Sequence, residues 1–261
     1  MATDQRRIVV VGAGSGIGAA TAAHFHERGD HVLAVDLRPD GAAASDHAQL
    51  DLRDATQIET LLGTIGGDWD LLAYVAGVPG TAPAADVLKV NYLGMRLFVE
   101  GMLPLLREGG SVVTVASVAA LGWQDRLNEL TGLLEATDSE SVERWQAEQD
   151  PNYPVYSTSK QAAIIYAKRL APAAWQKYGV RVNTVSPGPT ETPILGDFEE
   201  SMGKDVLDSV KATIGRHATV TDIVPVIAFL GSPAARWVNG QDIHVDGGFV
   251  APLTVGAPIQ L

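Results

Sequence analysis

The sequence predicts an α/β fold: a doubly wound parallel sheet of about seven strands with helices on both faces. Three observations predict it. Short apolar runs recur without polar alternation, as in Ile8-Val-Val-Val11 and Ser111-Val-Val-Thr-Val115, which is how strands covered on both faces read. Stretches of helical spacing separate these runs, so each strand has a crossover back to its neighbour. The first run also passes directly into Gly12-Ala-Gly-Ser-Gly16-Ile17-Gly18, a glycine-rich strand-to-helix turn. No internal repeat and no linker interrupts the pattern, so residues 1–261 are expected to form one nucleotide-binding domain.

The elements follow in order. Residues 8–11 predict the first strand. Residues 18–28 predict a helix, with small side chains early, then His24, Phe25 and Arg28, and Gly29 as its stop. Residues 31–35 predict a strand ending at Asp36, and residues 49–50 a brief strand before Asp51. A helix is expected over 58–65 and a strand over 71–75, running into Ala76-Gly77. Residues 87–106 predict one long helix despite Gly94, Gly101 and Pro104. A strand at 111–115, a helix at 156–178, a strand at 181–185, a helix at 222–230 and a last strand at 243–245 complete the sheet.

One polar segment, residues 124–149, breaks this rhythm. Leu127, Leu130, Leu133 and Leu134 recur at helical spacing, and Thr137 or Asp138 is placed to cap a second short helix through Trp145. It reads as a helical insertion standing off the sheet. Either it is a solvated excursion with a small satellite core, or it is a lid or an oligomer contact.

Composition narrows the function classes. Hydrophobic residues make up 46% and charged residues 19%, enough apolar side chain for a sizeable core. The net charge of −12 repels phosphate backbones, which argues against a nucleic-acid partner. There is no cysteine, which excludes disulfides, thiolate nucleophiles and thiolate-bound metals. The six histidines show no metal-ligand spacing, so no metal is expected. No apolar run approaches a membrane span, and the short N-terminal run begins a strand rather than a signal peptide. A cytoplasmic location is therefore the default expectation.

The glycine turn carries the first chemistry. It lets a pyrophosphate approach the backbone, and the helix behind it offers free amides and the positive end of a dipole. Asp36 closes the next strand, eighteen positions beyond Gly18, where a carboxylate accepts ribose hydroxyls and repels a 2′-phosphate. Ser15 and Leu37 supply no cation for such a phosphate, although Arg38 is close, so NAD is expected over NADP. The second feature is Tyr156-Ser-Thr-Ser-Lys160. On a helix the two ends share a face. Alone, the pair reads more readily as an ordinary helix face than as an acid beside an activating cation.

Taken as an ordered set, these residues resemble the short-chain dehydrogenase/reductase family along almost the whole chain. Gly12-x-x-x-Gly16-Ile17-Gly18 is similar to the family's cofactor turn, and Asp51-Leu52 to its adenine-contacting pair. Asn91, Ser117, Tyr156 and Lys160 fall where the family has its catalytic residues. Pro187-Gly188, Thr190 and Thr192 resemble the segment over the nicotinamide, and Asp246-Gly247-Gly248 the C-terminal signature. The resemblance implies a Rossmann-like fold and a cofactor site that also includes Ser15, Asp36, Leu37, Ala76 and Gly77. It implies that Tyr156 moves the alcohol proton and Ser117 holds the substrate oxygen. Lys160 would lower the tyrosine's pKa, ordinarily about 10, and hold the nicotinamide ribose, while Asn91 keeps a water behind it. It also implies a homodimer or homotetramer.

Two departures stand out. The family's usual Thr and Asn, which tie the first and fourth strands, are here Val11 and Val75, so apolar packing is expected in place of that tie. The long separation of Ser117 from Tyr156 resembles the branch containing 3α-hydroxysteroid dehydrogenase/carbonyl reductases and coniferyl-alcohol dehydrogenases. An insertion there is expected to obstruct the family's four-helix contact. Trp123, Tyr153 and Pro189 either line an apolar substrate pocket or pack in the core. The expected function is NAD-dependent interconversion of a hydrophobic secondary alcohol and its ketone. An aryl primary-alcohol dehydrogenase and a non-catalytic NAD(H) sensor are the alternatives. Specificity is assigned to the insertion and to residues 190–213, which no motif decodes.

Overall fold

A computed structural model of the chain describes residues 5–202 and 204–256. In chain order the main elements are β1 (Arg7–Val11), α1 (Gly16–Glu27), β2 (His31–Asp36), β3 (Asp46–Gln49), α2 (Ala55–Leu62) and β4 (Trp69–Tyr74). Then come α3 (Ala84–Leu88), a π-helical stretch (Lys89–Gly94), α4 (Met95–Met102) and β5 (Leu106–Val115). The insertion holds α5 (Thr131–Glu135) and α6 (Ser139–Ala147). The rest comprises α7 (Val155–Tyr178), β6 (Arg181–Pro187), α8 (Leu195–Met202), α9 (Lys204–Ile214), α10 (Val220–Leu230) and β7 (Asp242–Val245). The strands form one seven-stranded parallel sheet in the order β3-β2-β1-β4-β5-β6-β7.

Alternate residues of each central strand feed opposite faces, as the pleat requires. Val9, Val11, Leu72, Tyr74, Val112 and Val182 join the core under α4 and α7. Ile8, Val10, Leu71, Ala73, Val113 and Val185 join the core under α1 and α10. The order reverses between β1 and β4, so the carboxyl ends of these strands open a crevice, where α/β sheets bind ligands.

Several expectations are corrected here. The long helix over 87–106 is not continuous. A π-helical turn spans Lys89–Gly94, and residues 106–110, read as helix and turn, already belong to β5. At Gly94 an added Cβ would lie 2.5 Å from the Leu52 carbonyl, so this turn needs glycine to pass the β3–α2 loop. Residues 190–213, read as a loop, contain α8 and most of α9. The third strand begins three residues earlier than read, at Asp46, and ends at Gln49.

The insertion does not stand off the sheet on a satellite core. Leu130, Leu133, Val142 and Trp145 are continuous with the main core beneath α7. Arg96 of α4 donates to the carbonyls of Leu134 (2.9 Å) and Ala136 (2.7 Å), and Tyr92 to Leu134 (3.2 Å). These bonds meet the free carbonyls at the end of α5, while Asp138 caps α6 with a reciprocal bond pair to Ser141. Leu127 is left 37% exposed and belongs to no helix face.

The two departures at Val11 and Val75 also resolve differently from expectation. The Val11 carbonyl accepts the amides of Val75 (2.8 Å) and Ala76 (2.9 Å), so the backbone itself ties the strand ends. The two side chains pack into different cores, Val11 under α4 and α7 and Val75 on the opposite face.

Candidate active site

The glycine turn sits at the carboxyl end of β1, and close contacts dictate its composition. Gly12 has φ +88°, and an added Cβ would lie 2.5 Å from the Ala76 amide nitrogen. At Gly18 a Cβ would fall 1.8 Å from the Gly12 carbonyl oxygen, so only glycine lets α1 start so close to β1. Ser15 precedes the helix in extended conformation and makes no side-chain cap bond, so its side chain does not occupy the first turn's amides. Asp36 is fixed by two backbone amides, Gly14 (2.9 Å) and Arg38 (2.9 Å).

Two cavities open along the crevice. The larger, about 360 Å³, is lined by Gly12, Ser15, Gly16, Ile17 and Gly18 of the glycine turn, with Ala76, Gly77, Ser117, Tyr156 and Lys160. Pro187, Gly188, Thr190 and Thr192 close its β6 side. The smaller, about 260 Å³, holds Leu37, Asp51 and Leu52. Gly12 and Asp36 line both, so the two join into one trench across the switch point. The trench fits a dinucleotide: side-chain-free backbone at its centre, helix amides beside it and a carboxylate at the junction.

The reactive end is built on β5 and α7. Ser117 follows β5, and its Oγ accepts the Ala119 amide at 3.1 Å. Tyr156 enters on the first turn of α7 and hydrogen-bonds to Ser117. Lys160, one turn on and 4% exposed, donates from Nζ to the Val115 carbonyl at 3.0 Å. Its Nζ stands 5.7 Å from the centre of the Tyr156 ring. Burial pushes the Tyr156 phenol up to about 12, partly offset by the bond to Ser117, and lowers Lys160 to about 8. The lowering of the tyrosine expected from Lys160 is therefore not seen here; desolvation dominates and penalises both charged forms.

Asn91 lines neither cavity. It lies behind Gly77, with Oδ1 accepting the Val78 amide (2.8 Å) and Nδ2 donating to the Val78 carbonyl (3.0 Å) and to Ser159 Oγ (3.1 Å). Ser159 in turn donates to the Tyr156 carbonyl at 2.7 Å. An added Cβ at Gly77 would lie 3.2 Å from Lys160 Nζ and 3.3 Å from Asn91 Oδ1. The π-helical turn is what aims Asn91 at this point. Ser159, inside the Tyr-x-x-x-Lys stretch, was not singled out by sequence, although its placement one residue before Lys160 was visible.

Beyond Ser117, Tyr156 and Lys160, the larger cavity is mostly apolar: Leu121, Pro189, Ile194, Leu207, Phe249 and Leu253 line it. Asp246 shapes this end by accepting the amides of Gly248 (2.9 Å) and Val250 (2.8 Å). Leu207, Val210 and Ile214 recur at helical spacing and were the available signal for α9. Pro189 lines the cavity, but Trp123 and Tyr153 do not; both pack against the core, Tyr153 edge-on to Trp145. Among the described residues no three His, Asp or Glu side chains converge on a metal position, and no helix is long and apolar enough to cross a membrane.

Residues 6–126 match the family model described as short chain dehydrogenase, and residues 145–250 match the one described as enoyl-(acyl carrier protein) reductase. The chain belongs to the short-chain dehydrogenase/reductase family. Both α5 and the start of α6 fall between the two matched stretches. A coniferyl-alcohol dehydrogenase of Pseudomonas sp. (strain HR199 / DSM 7063) is 34% identical, over 96% of this chain and 99% of that protein. A 3-alpha-hydroxysteroid dehydrogenase/carbonyl reductase of Comamonas testosteroni is also 34% identical, over 94% and 96%. The crystal structure of the 3-alpha-hydroxysteroid dehydrogenase from Pseudomonas sp. B-0831 complexed with NADH superposes with a TM-score of 0.81 at 28% identity, covering 97% of this chain and all of that one. The chain is thus an oxidoreductase of a family that binds a nicotinamide cofactor and acts on small molecules.

Proposed function

We propose that this short-chain dehydrogenase/reductase uses NAD(H) to interconvert a hydrophobic secondary alcohol, of the 3α-hydroxysteroid type, and its ketone. The observation that carries this is the larger cavity, in which Ser117, Tyr156 and Lys160 sit at the foot of an apolar chamber. Among the described residues its lining includes two charged side chains, Asp36 at the cofactor junction and Lys160 beside the tyrosine. Among the described residues the lining offers no cation beyond Lys160 to receive a carboxylate substrate, and few polar groups for a polyol. Asp36 supports NAD over NADP, because a carboxylate held by two amides repels a 2′-phosphate.

The residues at positions 12, 15–18, 36, 37, 51, 52, 76, 77, 156, 160, 187, 188, 190 and 192 would hold the cofactor. When bound, the nicotinamide supplies the hydride acceptor for oxidation and the hydride donor for reduction. The chain supplies the proton. Tyr156, protonated at neutral pH, gives its phenolic proton to the carbonyl oxygen in reduction; in oxidation its phenolate, formed once that proton has left, takes the proton of the alcohol. Ser117 orients the same oxygen. Lys160 Nζ stands behind the tyrosine, and Asn91 and Ser159 fix the turn that carries both. The whole chain works as one nucleotide-binding domain in the cytoplasm. Its self-association is a homodimer that leaves the α4–α7 face covered by the insertion.

The coniferyl-alcohol relative favours a second reading, oxidation of an aryl primary alcohol in the same chamber. Following nicotinamide absorbance with a 3α-hydroxysteroid, a cyclic secondary alcohol and coniferyl alcohol, each with NAD and with NADP, separates the two. Faster turnover of the secondary alcohols with NAD supports the first reading. Turnover of coniferyl alcohol alone supports the second, and a preference for NADP rejects the cofactor assignment.

A further inference from the structure

The smaller cavity carries a charge pattern that the function above leaves unexplained. Three carboxylates line it, Asp36, Asp51 and Asp86, and among the described residues Arg53 is the cation on its wall. Asp51 is the position expected to contact adenine, yet it is engaged by Arg53. Oδ1 accepts the Arg53 amide and Nε, both at 3.0 Å, and Oδ2 accepts Nη2 at 2.7 Å. Nη1 of the same guanidinium reaches Asp86 at 3.2 Å. Two edges of one planar group are therefore pinned by carboxylates from two different parts of the chain. The side chain is 44% exposed, so a face remains open while the orientation is set. The other walls are apolar, from Val11, Leu37, Leu50, Leu52 and Val90.

A slot of about 260 Å³ with aliphatic walls and one fixed cationic plane suits a flat aromatic ring. We propose that Arg53 is a binding residue for adenine: its guanidinium, held between Asp51 and Asp86, is the plate on which the purine ring stacks. This rests on the reading that a dinucleotide occupies the trench. The plate also neutralises the two carboxylates that would otherwise face an anionic ligand. A lysine matches the charge but not the plane, since an ammonium is a point charge on a flexible stem.

The test is equilibrium binding, read by fluorescence, of NADH and of reduced nicotinamide mononucleotide, which lacks the adenosine. The full chain is compared with its Arg53→Ala and Arg53→Lys variants. Both variants should bind NADH about tenfold more weakly, the scale of a cation–π contact of about 1.4 kcal/mol. Both should bind the mononucleotide as the wild type does. That second result also establishes that the variants are folded. Unchanged NADH affinity in Arg53→Ala overturns the proposal. Full recovery in Arg53→Lys reduces Arg53 to a counter-charge and overturns the stacking role. Equal weakening of both ligands makes it a merely structural residue. Failure of the wild type to bind NADH at all rejects the function proposed above, and is distinct from each of these.

Discussion

Replacing Lys160 by methionine should make the free chain more stable while removing its turnover. Lys160 is 4% exposed, and its Nζ bonds to the Val115 carbonyl at 3.0 Å. Burial lowers its pKa from 10.5 to about 8. At about 1.36 kcal/mol per pH unit, holding the ammonium inside the fold at neutral pH costs about 3 kcal/mol. Methionine has similar reach and no charge, but it leaves the Val115 carbonyl unmet, a loss of about 1 kcal/mol. The net gain is about 2 kcal/mol, or a rise in Tm of about 5 °C for a chain of this size. The pH dependence carries its own sign. The folded-state pKa lies below the unfolded one, so the folded chain binds fewer protons between about pH 8 and 10.5. Wild-type stability therefore gains from this group as pH rises through that window, and the variant's advantage, full at pH 7, disappears above it. Calorimetric melts of both proteins at pH 7 and pH 10.5 read this directly. A variant that melts at or below the wild type at pH 7, or that keeps the same advantage at pH 10.5, refutes the claim that desolvation governs Lys160.

Other outcomes follow from the same geometry. Gly18→Ala drives a methyl to within 1.8 Å of the Gly12 carbonyl oxygen, and should destabilise the chain by about 3 kcal/mol and abolish NADH binding, both measurable by melting with and without NADH. Asp36→Ala removes the carboxylate at the junction of the two cavities and should shift the NADPH-to-NADH affinity ratio by about tenfold toward NADPH in fluorescence titrations. Trp145→Ala should cost about 3–5 kcal/mol in chemical denaturation, because this side chain is 7% exposed within the main core. A satellite core would give a much smaller loss.

The sheet was legible because its strands are buried on both faces. Runs such as residues 8–11 and 111–115 have no polar position to blur them, and the glycine turn announces which strand comes first. Ser117 and Tyr156 were legible because each sits at an element end, and Lys160 because it stands one helical turn beyond Tyr156. Three features escaped. The π-turn at Lys89–Gly94 has no compositional signature; it exists because Asn91 is drawn to Val78 and Ser159 and because Gly94 must pass the Leu52 carbonyl. The burial of the insertion depends on Arg96 and Tyr92, more than thirty positions upstream, meeting carbonyls at 134 and 136. The short helix α8 mixes Asp, two Glu and Ser among its eight residues and shows no sustained apolar face, so this stretch reads as loop.

The central claim is that the Tyr156 phenol is the group that moves the substrate proton. It is tested most directly by measuring turnover of a 3α-hydroxysteroid and NADH binding on the same preparations of wild type and Tyr156→Phe. Loss of turnover by about 100- to 10,000-fold, with NADH bound within about twofold of the wild type, is the result this assignment predicts. Turnover within about tenfold of the wild type, with NADH bound normally, contradicts it, because a general acid–base group contributes more than that.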